Sequence, residues 1–231
     1  PQSQIKLENI AAAISLGTKK RPLAQLTIGK LHHLATVPFF APHSFSATIN
    51  DKTKGKQPIY TLDVVGGLPN LTYFQLNAEQ NLINGLGNLK FNLTPINFIP
   101  GGIQPSNLLP ALAQVTDMQG MIRAHAHVDW SKKGIQNSGG TVVIDNLSFS
   151  HPNLKIAGLN TRVDFNKLLP ISTPPQQVIH IQTVDPGIPL TNLNIIYQIE
   201  SDPNHRPRIK LEDTQLVILG GVLAVEPVTI D

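Results

Sequence analysis

The sequence contains no cysteine. Disulfides, thiol nucleophiles and thiolate metal sites are therefore excluded together, and an oxidising compartment is compatible because nothing can mispair. Charge is scarce as well: Asp, Glu, Lys and Arg make up 14% of 231 residues, against about 25% in an average soluble protein. Asn, Gln, Thr and Ser take its place, the polar residues of extended, uncharged surfaces. Aromatics are 5% and the net charge is +3, from 18 basic and 15 acidic residues. The basic residues are scattered, apart from Lys19-Lys20-Arg21 and the group Lys52, Lys54 and Lys56 in loop-like surroundings. A nucleic-acid surface calls for a basic stripe interleaved with stacking rings, so no nucleic-acid partner is expected. No apolar run approaches the length of a membrane span. The chain starts at Pro1-Gln2-Ser3 with neither an initiating Met nor a signal sequence, and it reads as a mature or excised piece of something longer.

Catalytic signatures are missing too. There is no G-x-S-x-G, H-E-x-x-H or Walker A sequence, and Gly85-Leu86-Gly87 lacks the third glycine and the strand–helix setting of a dinucleotide fingerprint. Carboxylates are sparse, and no pair is marked for acid–base work. The expectation is a non-enzymatic protein with no cofactor and no resident metal.

What is present is alternation. Residues 121–130 place Ile122, Ala124, Ala126, Val128 and Trp130 on one side and Arg123, His125, His127 and Asp129 on the other. Period two of this length marks a strand with one apolar and one wet face. Similar runs cover residues 4–8, 10–16, 23–31, 45–49, 59–65, 70–79 and 88–93, then 141–148, 154–165 (kinked near Gly158), 178–184, 193–200, 208–217 and 222–229. Within 70–79, Leu71, Tyr73, Gln75 and Asn77 oppose Thr72, Phe74, Leu76 and Ala78. Turn signals separate these runs at 17–22, 52–58, 133–134, 137–140, 151–153, 173–175, 185–187, 202–204 and 220–221. Three prolines and a glycine pair in 95–105 read as a break in the sheet, and the two prolines of 37–42 exclude a central strand. Residues 105–116 are the one helix candidate, with Ser106 or Asn107 as cap, Pro110 in the first turn and Leu108, Leu109, Leu112 and Val115 as an apolar stripe. The reading is a mainly β chain: a large, curved, twisted antiparallel sheet, an open trough, with one short amphipathic helix. It forms a single β-rich domain over 1–231, with a possible division into 1–94 and 95–231.

Two faces compete as the site. The polar one carries His125, His127 and Asp129 at i, i+2 and i+4, about 6.5–7 Å apart along a strand, and a metal there needs a third ligand from a neighbouring strand. No such ligand is identifiable, and a solvated strand face accounts for the residues. His32, His33 and His43 read as loop and turn residues. The apolar face is either sealed against a second sheet, giving a sandwich or barrel, or it lines an open trough. An exposed apolar surface beyond a few hundred Å² marks a partner or ligand, and a buried acyl chain gains about 0.8 kcal/mol per CH₂. The candidate lining is Ile122, Val128, Trp130, Val142, Ile144, Val163, Phe165, Ile179, Ile181, Ile195 and Tyr197.

The segments Leu108-Leu109-Pro110-Ala111-Leu112, Gly120-Met121-Ile122 and the strand ending at Trp130 resemble the C-terminal part of the YdbH-like proteins, which belong with the AsmA-like envelope proteins. The likeness continues through Gly158-Leu159-Asn160, Leu168-Leu169-Pro170, Thr173-Pro174-Pro175-Gln176-Gln177, Gly187-Ile188-Pro189-Leu190 and Gly220-Gly221, over roughly 95–225. The resemblance implies a long twisted β trough in the periplasm of a Gram-negative bacterium, anchored at the inner membrane by an N-terminal helix. It also implies phospholipid acyl chains as cargo moving between the membranes, and a small outer-membrane lipoprotein as partner at the C-terminal end. This chain would be the distal section. The family's other label, dicarboxylate transport, finds no converging Arg or Lys on the apolar face. A β-rich scaffold or adhesin-type module, binding protein through exposed sheet edges, is the competing reading.

Overall fold

A computed structural model describes residues 5–15, 22–53, 55–202, 204–218 and 220–230. Pro1-Gln2-Ser3, most of the turn at 17–22 with Lys19-Lys20-Arg21, Lys54 and Pro203 lie outside the described residues. Among the described residues, fourteen strands join one antiparallel sheet that is not closed into a barrel. The strands are β1 (Ile5–Ile14), β2 (Ala24–His33), β3 (His43–Asp51), β4 (Ile59–Leu68), β5 (Leu71–Asn81), β6 (Gly87–Phe98), β7 (Thr116–Ser131), β8 (Gly134–His151), β9 (Leu154–Phe165), β12 (Gln177–Asp185), β13 (Leu190–Ser201), β14 (Pro207–Ile218), β15 (Gly221–Val225) and β16 (Val228–Ile230). A separate two-stranded ribbon pairs β10 (Lys167–Leu168) with β11 (Ile171–Ser172). Sheet order follows chain order from β1 to β9 and continues β12-β13-β14-β15, with β16 also on β14. Neighbours in sequence are neighbours in space because short turns suffice to join antiparallel strands.

The chain divides into two compact units. Unit 1 comprises 1–94, 106–112 and 125–137; unit 2 comprises 95–105, 113–124 and 138–231.

Four local readings change. The helix expected over 105–116 is α1 (Pro105–Leu108), followed by a 3-10 turn at Pro110–Leu112. The helix starts one residue earlier than its expected caps, so Pro110 falls beyond the first turn, where it removes a donor and restricts Leu109. The break expected from residue 95 begins after Phe98: β6 runs through exposed Pro95, which lies beyond the last β5 partner, Leu93, so its missing N–H costs no bond to β5. Residues 137–140 are not a turn but lie inside β8; the β7–β8 turn is Lys132-Lys133, closed by Gly134 at φ 102°. The two runs at 4–8 and 10–16 form one strand, β1, interrupted by Asn9 at φ 56°.

Candidate functional site

Residues directly opposite each other in an antiparallel pair share a face, so register decides which side chains stand together. In unit 2, Val142 faces Val163, Ile144 faces Thr161, and Gly140 faces Phe165. Thr161 faces Ile179, and Leu159 faces Ile181. On the next strand Ile179 faces Ile195, and Gln177 faces Tyr197. Val142, Ile144, Val163, Phe165, Ile179, Ile181, Ile195 and Tyr197 therefore occupy one face. Ile181 and Tyr197 are each 6% exposed and the other six are half-buried. Burial raises the pKa of the Tyr197 phenol, an effect partly offset by its hydrogen bond with Thr161.

The reverse face of unit 2 is mixed: Val178 faces Ile196, and Val184 faces Ile156 and Leu190, but the charged and amide side chains gather here. Val143 faces Arg162, Thr141 faces Asp164, and His180 faces Asn160 and Asn194. Asp164 accepts Arg162 at 2.9 Å through both Nε and Nη2, and Thr141 Oγ1 at 2.6 Å. The guanidinium pKa rises because that carboxylate holds the charged form. His180 bonds Asn194 at 2.8 Å.

Unit 1 repeats the division with different residues. The register runs Ile10–Ile28–Phe45–Gly66–Phe74–Leu93 and, one step along, Ala12–Leu26–Ala47–Val64–Leu76–Phe91. A third row runs Ile14–Ala24–Ile49–Leu62–Ala78–Leu89. The opposite rows include Thr27–Ser46–Val65–Gln75–Asn92 and Gln25–Thr48–Asp63–Asn77–Lys90, where Asp63 accepts Asn77 at 2.7 Å and Asn50 at 3.2 Å. Most of the apolar residues in these rows are half-buried, and Ile10, Ile14, Leu26 and Ile49 are exposed. That is the burial of a face without a second sheet laid over it.

Aromatic rings lie along this face. Phe45 and Phe74 stand 5.7 Å apart, and Phe74 and Phe91 6.2 Å. Gly66 makes room for them: a Cβ there would run into the Phe74 ring and come within 2.8 Å of Phe45. Trp130 lies over Gly87 in the same way and donates Nε1–H to Gln80 at 2.6 Å. Since Gln80 and Gly87 are direct partners, Trp130 stands on the aromatic face of unit 1, and Val128 is on its side of β7. Ile122 is half-buried in the unit 2 part of β7.

Tyr73 also stands among these rings, against its alternation. The register slips between Gly66 and Gly67, which leaves Tyr73 as the extra residue of a bulge. Bulges re-aim side chains, and here Tyr73 bonds His43 and lies 5.8 Å from Phe74. The chain of rings extends through Phe40 and His33, each within 6 Å of the next. His43 is buried, its Nδ1 bonded to the Ala41 carbonyl and its Nε2 to the Tyr73 hydroxyl. The neutral tautomer that satisfies both donates from Nδ1 and accepts at Nε2. Burial raises the Tyr73 pKa. An open cavity of about 370 Å³ lies here, lined by Leu31, His43, Phe45 and Tyr73 from the strands and by Phe40, Leu108 and Leu109 from outside them. The sequence signals for this cluster are Gly66-Gly67, a glycine pair inside a strand run, and the Phe39-Phe40 pair of the proline-rich loop, of which Phe40 packs inward and Phe39 is exposed.

The polar side of β7 is locally satisfied. Arg123 lies 3.9 Å from Asp145, and Asn137 bridges His127 at 3.3 Å and Asp129 at 3.2 Å. Among the described residues, no group of three or more His, Cys, Asp or Glu could hold a metal ion. His32 bonds Glu8, whereas His33 accepts the Phe39 N–H at 3.3 Å. His32, His33 and His43 are strand residues at or next to the ends of β2 and β3, not loop or turn residues.

The family model "YdbH-like: Intermembrane phospholipid transport protein YdbH" matches residues 52–231, from the end of β3 onward. The chain belongs to the YdbH-like family. The match takes in β4, β5 and β6 with Phe74, Phe91 and Trp130, and starts after Phe45. No curated protein and no solved structure matches the chain. Among its described residues no helix is long and apolar enough to cross a membrane.

Proposed function

We propose that this YdbH-like chain carries phospholipid between membranes by letting acyl chains lie along the apolar face of its sheet. The supporting observation is the register: in each unit apolar residues dominate one face across successive strands, and the reverse face carries most of the charged and amide side chains, with Val65, Val178 and Ile196 among them. A face of this kind costs free energy in water at about 25 cal/mol per Å² of apolar area, so it requires an occupant. Val142, Ile144, Val163, Phe165, Ile179, Ile181, Ile195 and Tyr197 line it in unit 2, and Val128 and Trp130 in unit 1. Ile122 is assigned to the same path.

Transfer along such a surface makes and breaks no covalent bond, so the protein acts without catalysis. Non-directional apolar contacts let a chain exchange one strand's side chains for the next at nearly constant energy. The setting proposed is the periplasm, with the full-length protein anchored in the inner membrane as part of a bridge to the outer membrane. A small outer-membrane lipoprotein is the partner proposed at the C-terminal end. Organic extraction of purified protein followed by mass spectrometry tests the reading. Phospholipid is expected in the extract and is expected to be lost in Phe165→Asp; protein free of lipid would favour a scaffold that binds through sheet edges.

A further inference from the structure

We propose that the apolar cavity of unit 1 is a seat for the terminal end of one phospholipid acyl chain, a holding point on the path; the inference rests on the function proposed above. Three observations point to it. The first is added wall. Elsewhere on this face Leu62, Val64, Leu76 and Leu89 offer sheet side chains alone, whereas here Phe40, Leu108 and Leu109 add side chains from outside the sheet to those of Leu31, Phe45 and Tyr73. These outer walls are tied together, because the Ala41 N–H donates to the Leu108 carbonyl at 2.9 Å and joins the loop carrying Phe40 to α1. A hydrocarbon segment in this open pocket meets apolar side chains of the sheet and of the flanking segments together.

The second observation is polarity. The two side chains here with polar atoms, His43 and Tyr73, bond each other, and the second His43 nitrogen bonds the Ala41 carbonyl. A headgroup or glycerol placed against them would lose water without recovering hydrogen bonds, so the occupant is the part of a lipid that has none. The third is size. About 370 Å³ is more than twice the roughly 150 Å³ that holds benzene in a dry engineered cavity. A stretch of one chain fits, and a whole two-tailed lipid does not. A lipid seated here leaves its remaining tail and headgroup outside the cavity.

The test uses the full 231-residue chain loaded from vesicles of phosphatidylethanolamine carrying a photoreactive diazirine at the end of one acyl chain, with adducts mapped by peptide mass spectrometry. Adducts are expected on the peptides holding Leu108-Leu109 and Tyr73. Leu109 is 44% exposed, so Leu109→Trp can fill the cavity without disturbing a core; it should reduce those adducts several-fold relative to adducts on the open face. Leu109→Ala, which thins the outer wall, should move adducts toward Leu62 and Leu76. Adducts spread over the open face with none at Leu109 would overturn the seat and leave the lipid-carrying face standing. Equal labelling at the cavity from a diazirine beside the glycerol would overturn it too, as would labelling by a diazirine fatty acid but not by the phospholipid. No adduct anywhere would overturn both readings.

Discussion

Unit 1 and unit 2 obey one rule and fill it differently. In unit 2 the middle of the apolar face is built from aliphatic pairs in plain register, Val142 with Val163 and Ile179 with Ile195, with rings only at Phe165, opposite Gly140, and Tyr197, opposite Gln177. In unit 1 the corresponding rows carry rings, and the rings fit because Gly66 and Gly87 leave the space a Cβ would take. Period-two alternation thus determines that a face is apolar, and the pairing of large with absent side chains determines its relief. An aliphatic face is even, whereas a ring-and-glycine face has ridges and hollows, and the cavity beside Phe45 and Tyr73 lies on the latter.

The comparison can be broken by substitution. The largest effect is expected at Ile181, buried on the unit 2 face. Ile181→Ala should lower unfolding free energy by about 2–5 kcal/mol in urea denaturation. Next comes Gly66→Val in unit 1, where the side chain must displace Phe74 and Phe45; a loss of about 1–3 kcal/mol is expected, with a changed near-ultraviolet circular dichroism signal from the disturbed rings. The same substitution at Ala47, which has a Cβ already and sits one row away, should cost less. If Gly66→Val were silent, the glycine-and-ring account of unit 1 would fail.

A smaller effect, seen only in alkali, concerns the tyrosines. Burial raises the pKa of both Tyr73 and Tyr197 above the usual value near 10. The folded protein therefore retains a proton that the unfolded chain loses first. Stability from this source is fully present below about pH 10 and is lost as pH rises through the folded-state values. Tyr73→Phe and Tyr197→Phe should each flatten the decline of stability with alkali, read from unfolding curves across that range. Tyr73→Phe additionally leaves His43 Nε2 without its donor. The smallest effect is expected at Arg162: its pair with Asp164 is well formed but lies in solvent, and Arg162→Ala should leave the unfolding midpoint unchanged within error.

The difference between the units also explains what was readable in the sequence. In unit 2, strands and their phase follow from alternation, and each of the eight residues expected there falls on one face because β8, β9, β12 and β13 pair in register along that stretch. Unit 1 has the same alternation at Phe45, Ala47 and Ile49, yet its rings were not recognisable as a cluster. Tyr73 reaches it only through a register slip between two glycines, and Phe40 and Leu108 arrive from a proline-rich loop and a one-turn helix. Such contacts depend on tertiary placement. Ser138 illustrates the same limit in unit 2. Its surroundings, Asn137 to Gly140, have turn composition, but it lies buried in β8 with its hydroxyl accepting the Leu168 N–H from thirty residues away.

The central claim is that lipid follows one face of the sheet and not the other. Ile144 and Val143 are adjacent in β8 and half-buried, and they point to opposite faces: Ile144 is paired with Thr161 on the apolar side and Val143 with Arg162 on the polar side. The direct measurement is the phospholipid-to-protein ratio in organic extracts of the unmodified chain, Ile144→Asp and Val143→Asp, each first verified as folded. The account predicts that Ile144→Asp loses the bound phospholipid while Val143→Asp retains it. Equal loss in both variants, or equal retention, would contradict it.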